Sequence, residues 1–180
     1  NKKKFKIKLD EKYPKLNFNQ KEFLKKIKKK YVCIHVRDTN YRKDKNRRSY
    51  RNSNIKSYLN SIKFLINQGY CVVRLGDKLA DKIQFSHKNY FDYTKFKHKI
   101  DYIDLYLIKH SSFVICTHSG IFDTARLFKK PILITNMVNL FASYAHNENT
   151  RGIFKKIKFK GKEINIKDYI QLSFYKYLSE

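Results

Sequence analysis

The sequence predicts an α/β fold of the doubly wound kind, a parallel sheet covered by helices on both faces. Short apolar runs at 31–36, 70–75, 113–117 and 132–135 alternate with segments whose apolar residues recur at helical spacing. The runs are continuous rather than alternating, as strands buried on both faces require. The 180 residues hold one sizeable core, with no internal repeat and no second core.

Residues 1–30 read as a lead-in, and 31–180 as the domain. Because the chain starts at Asn1 without methionine, the lead-in is expected to be the remnant of, or linker from, an absent amino-terminal half. Pro14 ends an irregular segment, and Asn19 with Glu22 has capping-box spacing ahead of Phe23, Leu24 and Ile27. After the first strand comes a polar, arginine-rich loop, 38–52, and long loops inside compact domains are usually functional or disordered. Ser53 then caps a helix carrying Ile55, Tyr58, Leu59, Ile62, Leu65 and Ile66, with Gly69 at its C′ position.

Strand 70–75 closes on Gly76-Asp77, and a weaker strand falls near 89–93. Ile100, Ile103 and Leu107 mark a short helix before strand 113–117. His118-Ser119-Gly120 turns into a helix at about 121–128, and Pro131 introduces the last strand. The tail changes character. Its alternation from 153 to 166 around Lys160-Gly161-Lys162 predicts a small hairpin before a terminal helix.

In such a sheet, ligands bind outside the carboxyl ends of the strands. His35 and Arg37 stand one residue apart where the first strand stops, so on a strand they project to the same side. An arginine in that place serves no packing purpose and points to an anion, phosphate above all. Topology gathers the other strand ends around it: Asp38, Arg74-Leu75-Gly76-Asp77, the region of Asp92-Tyr93, and Thr117-His118-Ser119-Gly120. The small residues of that last turn open a helix, where backbone N–H groups and the Ser119 hydroxyl can meet a phosphate. Plainer structural roles stand beside these. His35 can be a hydrogen-bonded core histidine, Arg74 a surface partner of Asp77 or Asp38, Ser119 a helix cap, and Asp101 and Asp104 first-turn carboxylates favoured by the helix dipole.

Other chemistries lack their motifs. There is no Gly-x-Gly-x-x-Gly after a strand, no Walker loop and no Gly-x-Ser-x-Gly elbow. The six histidines show no metal-ligand spacing, and no Asp-x-Asp triplet is present to hold a divalent ion against a diphosphate, so no metal is expected. Cys33, Cys71 and Cys116 sit singly in apolar runs, as small core residues of a reduced, cytosolic protein would. No run of about 18 apolar residues and no signal-peptide pattern occurs.

The formal charge is +26, from 41 Lys and Arg against 15 Asp and Glu. Lysines are spread along the whole chain amid abundant Asn, Ile, Tyr and Phe, which fits AT-rich coding bias together with general anion affinity. The clusters at 2–4, 25–30 and 155–156 suit a peripheral contact with anionic lipid. A basic nucleic-acid-binding module is the rival reading, but the aromatics fall at core positions and no RNA-binding motif is present.

The stretch VCIHVRDTNY through YCVVRLGD, residues 32–77, resembles bacterial glycosyltransferases found among surface-polysaccharide enzymes. The resemblance continues through DLYLIKHSSFVICTHSG, 104–120, and KPILITN, 130–136. More distantly, His35-Val36-Arg37 and Asp104 with Cys116-Thr117-His118-Ser119 are similar to the donor half of the fucosyltransferase superfamily. That resemblance implies a Rossmann-like domain, the carboxy-terminal half of a GT-B-type enzyme. It implies a metal-independent transfer of a sugar, fucose-like and GDP-linked in that superfamily, from a nucleotide sugar to a cell-surface glycan or lipid-linked acceptor at the cytoplasmic side of the membrane.

By the same resemblance Arg37 contacts the donor diphosphate, His35 sits by the nucleotide, Asp104 recognises the base, and the Ser119 turn binds phosphate. The chain departs from the pattern at Asp38, where a second basic residue can stand, and at Gly120, where a second serine can stand. Arg37 and Asp38 are the catalytic candidates, Asp38 as base toward the acceptor hydroxyl. Donor-binding candidates are His35, Arg37, Arg74, Gly76, Asp77, Asp104, Thr117, Ser119 and Gly120. Arg51 and Asn52 are candidates to close the loop over the ligand, and a non-catalytic sugar-binding domain is a third reading.

Overall fold

The computed structural model describes residues 14–38, 51–138, 148–159, 161–165, 167–168 and 171. Six strands form one parallel sheet: β1 (Tyr31–His35), β2 (Cys71–Leu75), β3 (Tyr90–Asp92), β4 (Phe113–Cys116), β5 (Ile132–Met137) and β6 (Thr150–Phe154). Their order in space is β3-β2-β1-β4-β5-β6. Strand order therefore reverses between β1 and β4, the switch point at which Rossmann-type sheets open a crevice. This is the doubly wound α/β architecture the alternating runs predict.

Among the described residues four helices flank the sheet: α1 (Phe18–Lys26), α2 (Leu59–Asn67), α3 (Asp101–His110) and α4 (Gly120–Leu127). The central strands are buried on both faces, so each contributes to two cores. Cys33, Val73, Val114 and Cys116 pack with Ile103 and Leu107 of α3 and Phe122 and Ala125 of α4. Val32, Ile34, Val72 and Ile115 pack with Ile62, Leu65 and Ile66 of α2. Phe122 is fully buried. Burying such a ring stabilises by about 2–3 kcal/mol, and Phe122→Ala would cost about 3–5 kcal/mol with its cavity. The three cysteines are buried and unbridged.

The helix ends show how local chemistry punctuates this pattern. α2 ends in a Schellman motif: Gly69 takes φ +81, its N–H donates to Ile66 O at 2.9 Å, and Tyr70 N–H reaches Leu65 O at 3.1 Å. α4 ends the same way, but with Lys129 at φ 53 in the glycine position. Its N–H donates to Arg126 O and that of Lys130 to Ala125 O, at 2.8 and 3.0 Å. Pro131 then prevents continuation.

Several sequence expectations are corrected. The capping box of α1 lies two residues upstream of the Asn19–Glu22 reading. Asn17 accepts from Gln20 N–H and the Gln20 side chain accepts from Asn17 N–H, both at 2.9 Å. Gln20 also donates to the His98 carbonyl, a tertiary partner that selects this register. α1 joins the main core, its Phe23 ring stacked on Phe96 at 4.6 Å and set against Tyr93 at 5.1 Å.

Ser53 does not cap α2. Asn54 caps a 3-10 turn, Ile55–Tyr58, that precedes it, while Ser53 is drawn into tertiary bonds. Residues 150–154, of which the hairpin reading included only 153 and 154, form β6 and pair parallel with β5, a strand the sequence does not announce. Its residues Arg151, Gly152 and Ile153 are exposed, so this edge strand lacks the apolar run that marks buried ones. The small hairpin expected within 153–166 is present, as the antiparallel pair Lys158–Phe159 with Lys162–Glu163. Most of the terminal helix, residues 1–13, and 39–50 of the arginine-rich loop lie outside the described residues. Among the described residues no helix is long and apolar enough to cross a membrane.

Candidate functional site

At the switch point His35 of β1 stands opposite Cys116 of β4. The segments that leave these strands run side by side and are stitched together. Thr117 N–H donates to His35 O at 3.2 Å, and Arg37 N–H donates to Thr117 Oγ1 at 2.9 Å. Beside this stitch opens a cleft of about 500 Å³. His35, Arg37 and Asp38 line it from the β1 side, His118, Ser119 and Gly120 from the β4 turn, and Gly76 and Asp77 from the end of β2. Lys99, Asp101 and Asp104 form the wall at the start of α3, and Arg51 comes from the loop end. Among the described residues no group of three or more His, Cys, Asp or Glu side chains is placed to hold a metal ion.

Ser119 precedes α4 in extended conformation, yet its side chain does not cap the helix. It shares a hydrogen bond with His35 Nδ1 at 3.2 Å instead. His35 is thus a bonded histidine at the cleft floor, where the core and site readings meet in one residue. Burial holds its pKa down at about 4, against a smaller upward pull from Asp38, with Arg74 and Lys99 adding to the depression. The ring is therefore neutral near pH 7.

The α3 wall holds an ion pair, Lys99 Nζ with Asp104 Oδ2, both side chains largely buried. The ammonium also lies over the Tyr93 ring, 4.2 Å from its centroid. Burial raises the Asp104 pKa while Lys99 opposes the rise. Among the described residues Asp104 Oδ1 is buried with no hydrogen-bond partner. A buried carboxylate oxygen left in that state is costly unless a donor reaches it.

A second network braces the cleft from the β5 side. Ser53 N–H donates to Arg37 O at 2.8 Å. Asn136, in left-handed conformation at φ 53, donates to Ser53 Oγ and, at 3.1 Å, to the Tyr58 hydroxyl. Tyr58 and Thr135 hydroxyls lie 2.5 Å apart. The carbonyl that ends the Arg37 residue is thereby fixed to the ends of β5 and of the loop.

The structure sorts the sequence candidates. It brings His35, Arg37, Asp38, Arg51, Gly76, Asp77, Asp104, Ser119 and Gly120 to one cleft. Thr117 is 1% exposed and serves as the stitch between β1 and β4 rather than as a lining residue. Arg74 is not a surface partner of Asp77 or Asp38, and it does not line the cleft. It is buried, bonded to Asp92 Oδ2 at 3.3 Å and to the Asp81 carbonyl at 2.5 Å, because its position on β2 points it under the 77–83 segment. Asp38 is also buried, its Oδ2 accepting from Asp81 N–H at 2.8 Å. Asn52 falls outside the cleft lining, its carbonyl accepting from Lys155 Nζ at 3.1 Å.

Lys99 and His118 were not singled out by sequence. The signal for His118 was its place inside the Thr117–Gly120 turn. The signal for Lys99 was a lysine five residues ahead of Asp104, a spacing with no motif behind it.

No protein-family model matches this chain, and no curated protein sequence matches it. Among solved structures it is similar to the dodecameric iron-containing heptosyltransferase TibC in complex with ADP-D-beta-D-heptose. The two are 20% identical with a TM-score of 0.44, over 78% of this chain and 37% of that one. This chain therefore spans little more than a third of that protein's length.

Proposed function

We propose that this chain is the donor-binding domain of a glycosyltransferase that uses a nucleoside diphosphate sugar without a divalent metal. The observation that carries the reading is the pairing, in one switch-point cleft, of the Arg37 side chain with an α4 N-terminus that Ser119 leaves uncapped. Arginine offers a planar fork matched to phosphate oxygens, and helix N–H groups add fixed donors at the positive end of the dipole. Together with Arg51 they supply the charge that a diphosphate requires.

In this reading Arg37 and the α4 N–H groups bind the diphosphate and gain strength as the departing nucleoside diphosphate acquires negative charge. Only interactions that strengthen in that way accelerate transfer. Asp104 Oδ1, unpartnered on the α3 wall, takes a donor from the nucleoside. Neutral His35 holds the Ser119 hydroxyl in place without adding charge. Asp38, held by Asp81 N–H at the cleft wall, is the candidate base toward the acceptor hydroxyl. The sequence resemblance puts GDP-linked, fucose-like sugars first among donors, with a surface glycan or lipid-linked acceptor.

The test is a panel of nucleotide sugars observed by ligand NMR, followed by calorimetry with the binder. Arg37→Ala is expected to weaken that binding at least a hundredfold while leaving the circular dichroism spectrum unchanged. Unaltered affinity in the variant would remove the basis of the reading.

A further inference from the structure

His118 has no part in the reading above, yet it lines the same cleft, between the stitching residue Thr117 and the Ser119-Gly120 turn. Its ring meets Phe122 edge-on at 5.6 Å, which steadies it at the entrance to α4. The charges around it are mostly positive and come from both sides. Arg51 and Arg37 act on it from the β1 side, and Arg126 and Asp123 from α4. Arg126 and Asp123 bond to each other at 3.4 Å, so much of their effect cancels. His118 is thus a half-buried imidazole in a cleft that Arg37 and Arg51 also line.

We propose that His118 is the proton-linked ligand of the phosphate this cleft holds, neutral when the cleft is empty and protonated when a phosphate bearing two negative charges seats between it and Arg37 and Arg51. The inference rests on the cleft being a diphosphate site, and it adds a specificity. A phosphate esterified to a sugar carries one charge, whereas the terminal phosphate of the released nucleoside diphosphate carries two. His118 therefore favours the leaving-group form most where imidazolium and phosphate dianion coexist, at about pH 6–7.

The physical argument is linkage. Burial and the neighbouring arginines hold the imidazole pKa below its ordinary value, with Asp123 opposing. An incoming dianion reverses the sign of the local field, and the imidazolium then gains a charge-assisted hydrogen bond. If ligand binding raises the histidine pKa by one unit, the ligand binds about tenfold tighter at a pH below both values than above them.

The probe is inorganic pyrophosphate, which needs no assumption about base or sugar. The Cε1–H resonances of the six histidines are followed from pH 5 to 8.5 with and without saturating pyrophosphate, His118 being assigned by its loss in His118→Gln. The expected result is a rise of at least one unit in the His118 pKa on binding. The ratio of pyrophosphate dissociation constants, His118→Gln over wild type, is expected to be about tenfold larger at pH 6 than at pH 8. Taking the ratio cancels the ionisation of pyrophosphate itself. If pyrophosphate binds but the His118 pKa stays put and the ratio is flat, the inference is overturned and the donor-site reading stands. If wild type does not bind pyrophosphate at all, the anion cradle is absent and both fall.

Discussion

The Ser119 hydroxyl bonds to His35 Nδ1 and not to the helix that Ser119 introduces. A serine in that position ordinarily stabilises its helix by about 1 kcal/mol. Here that capping energy is forgone and the first turn of α4 faces the cleft. Ser119→Ala is accordingly expected to cost about 0.5–1.5 kcal/mol in urea denaturation, the worth of the His35 bond, and to cost little when His35 is already Gln. Its pyrophosphate affinity should fall several-fold, since the turn loses its anchor to β1. An undiminished cost of Ser119→Ala in the His35→Gln background would place the hydroxyl on the helix instead.

His35 makes the fold acid-sensitive in a defined window. Its folded pKa of about 4 lies below the unfolded value near 6.5, so between those values the unfolded chain binds more protons. The stability contribution is complete above pH 6.5 and is lost as pH falls toward 4. Partial exposure of the ring keeps the loss below about 3 kcal/mol. Thermal melts from pH 7.5 to 5 should show a decline in wild type that His35→Gln flattens, before carboxylates begin to titrate.

Lys99 and Asp104 are expected to be coupled. Lys99→Met leaves a buried carboxylate without its cation and should cost about 2–4 kcal/mol. Adding Asp104→Asn removes the uncompensated charge and should recover at least half of that loss. A double-mutant cycle in denaturant measures the coupling. Additive effects would mean that the pair contributes nothing beyond its two members.

Lys129 occupies a backbone conformation suited to glycine. Lys129→Gly keeps the Schellman bonds and relieves the steric cost of a Cβ in the left-handed region. A gain of about 0.5–1 kcal/mol is expected, after the extra unfolded-state entropy of glycine is subtracted. The position is exposed and distant from the cleft, so ligand binding should not move.

Gly152 provides the converse case. A Cβ there would collide with Met137 Sδ, because β6 crosses close to β5 where the pairing register shifts. Gly152→Val should therefore loosen the β5–β6 edge, lowering Tm by several degrees and raising amide exchange in β6 while β1–β4 stay protected.

The sheet was legible in the sequence wherever strands were buried on both faces. Val32-Cys33-Ile34 and Cys71-Val72-Val73 leave little alternative to interior strands. β6 was not legible, since Thr150-Arg151-Gly152-Ile153-Phe154 is an edge strand half in solvent, and nothing local says that it will pair in parallel. The cleft was readable through Arg37 and the Thr117–Gly120 turn, because topology alone brings the ends of β1 and β4 together. Residues whose roles are set by long-range bonds are not legible in the sequence. Gln20 is fixed by His98, Arg74 by Asp92 and Asp81, Ser53 by Arg37 and Asn136, and no spacing rule encodes such partners.

The bond from Ser53 N–H to the Arg37 carbonyl closes a ring of chain whose two ends are fixed a single hydrogen bond apart. Both partners of that bond are backbone groups, and Asn136 ties the Ser53 side chain to the end of β5 as well. The mouth of the cleft is thus clasped where three segments meet, and the position of Arg37 is set by main-chain bonds that survive a change of side chain at Ser53.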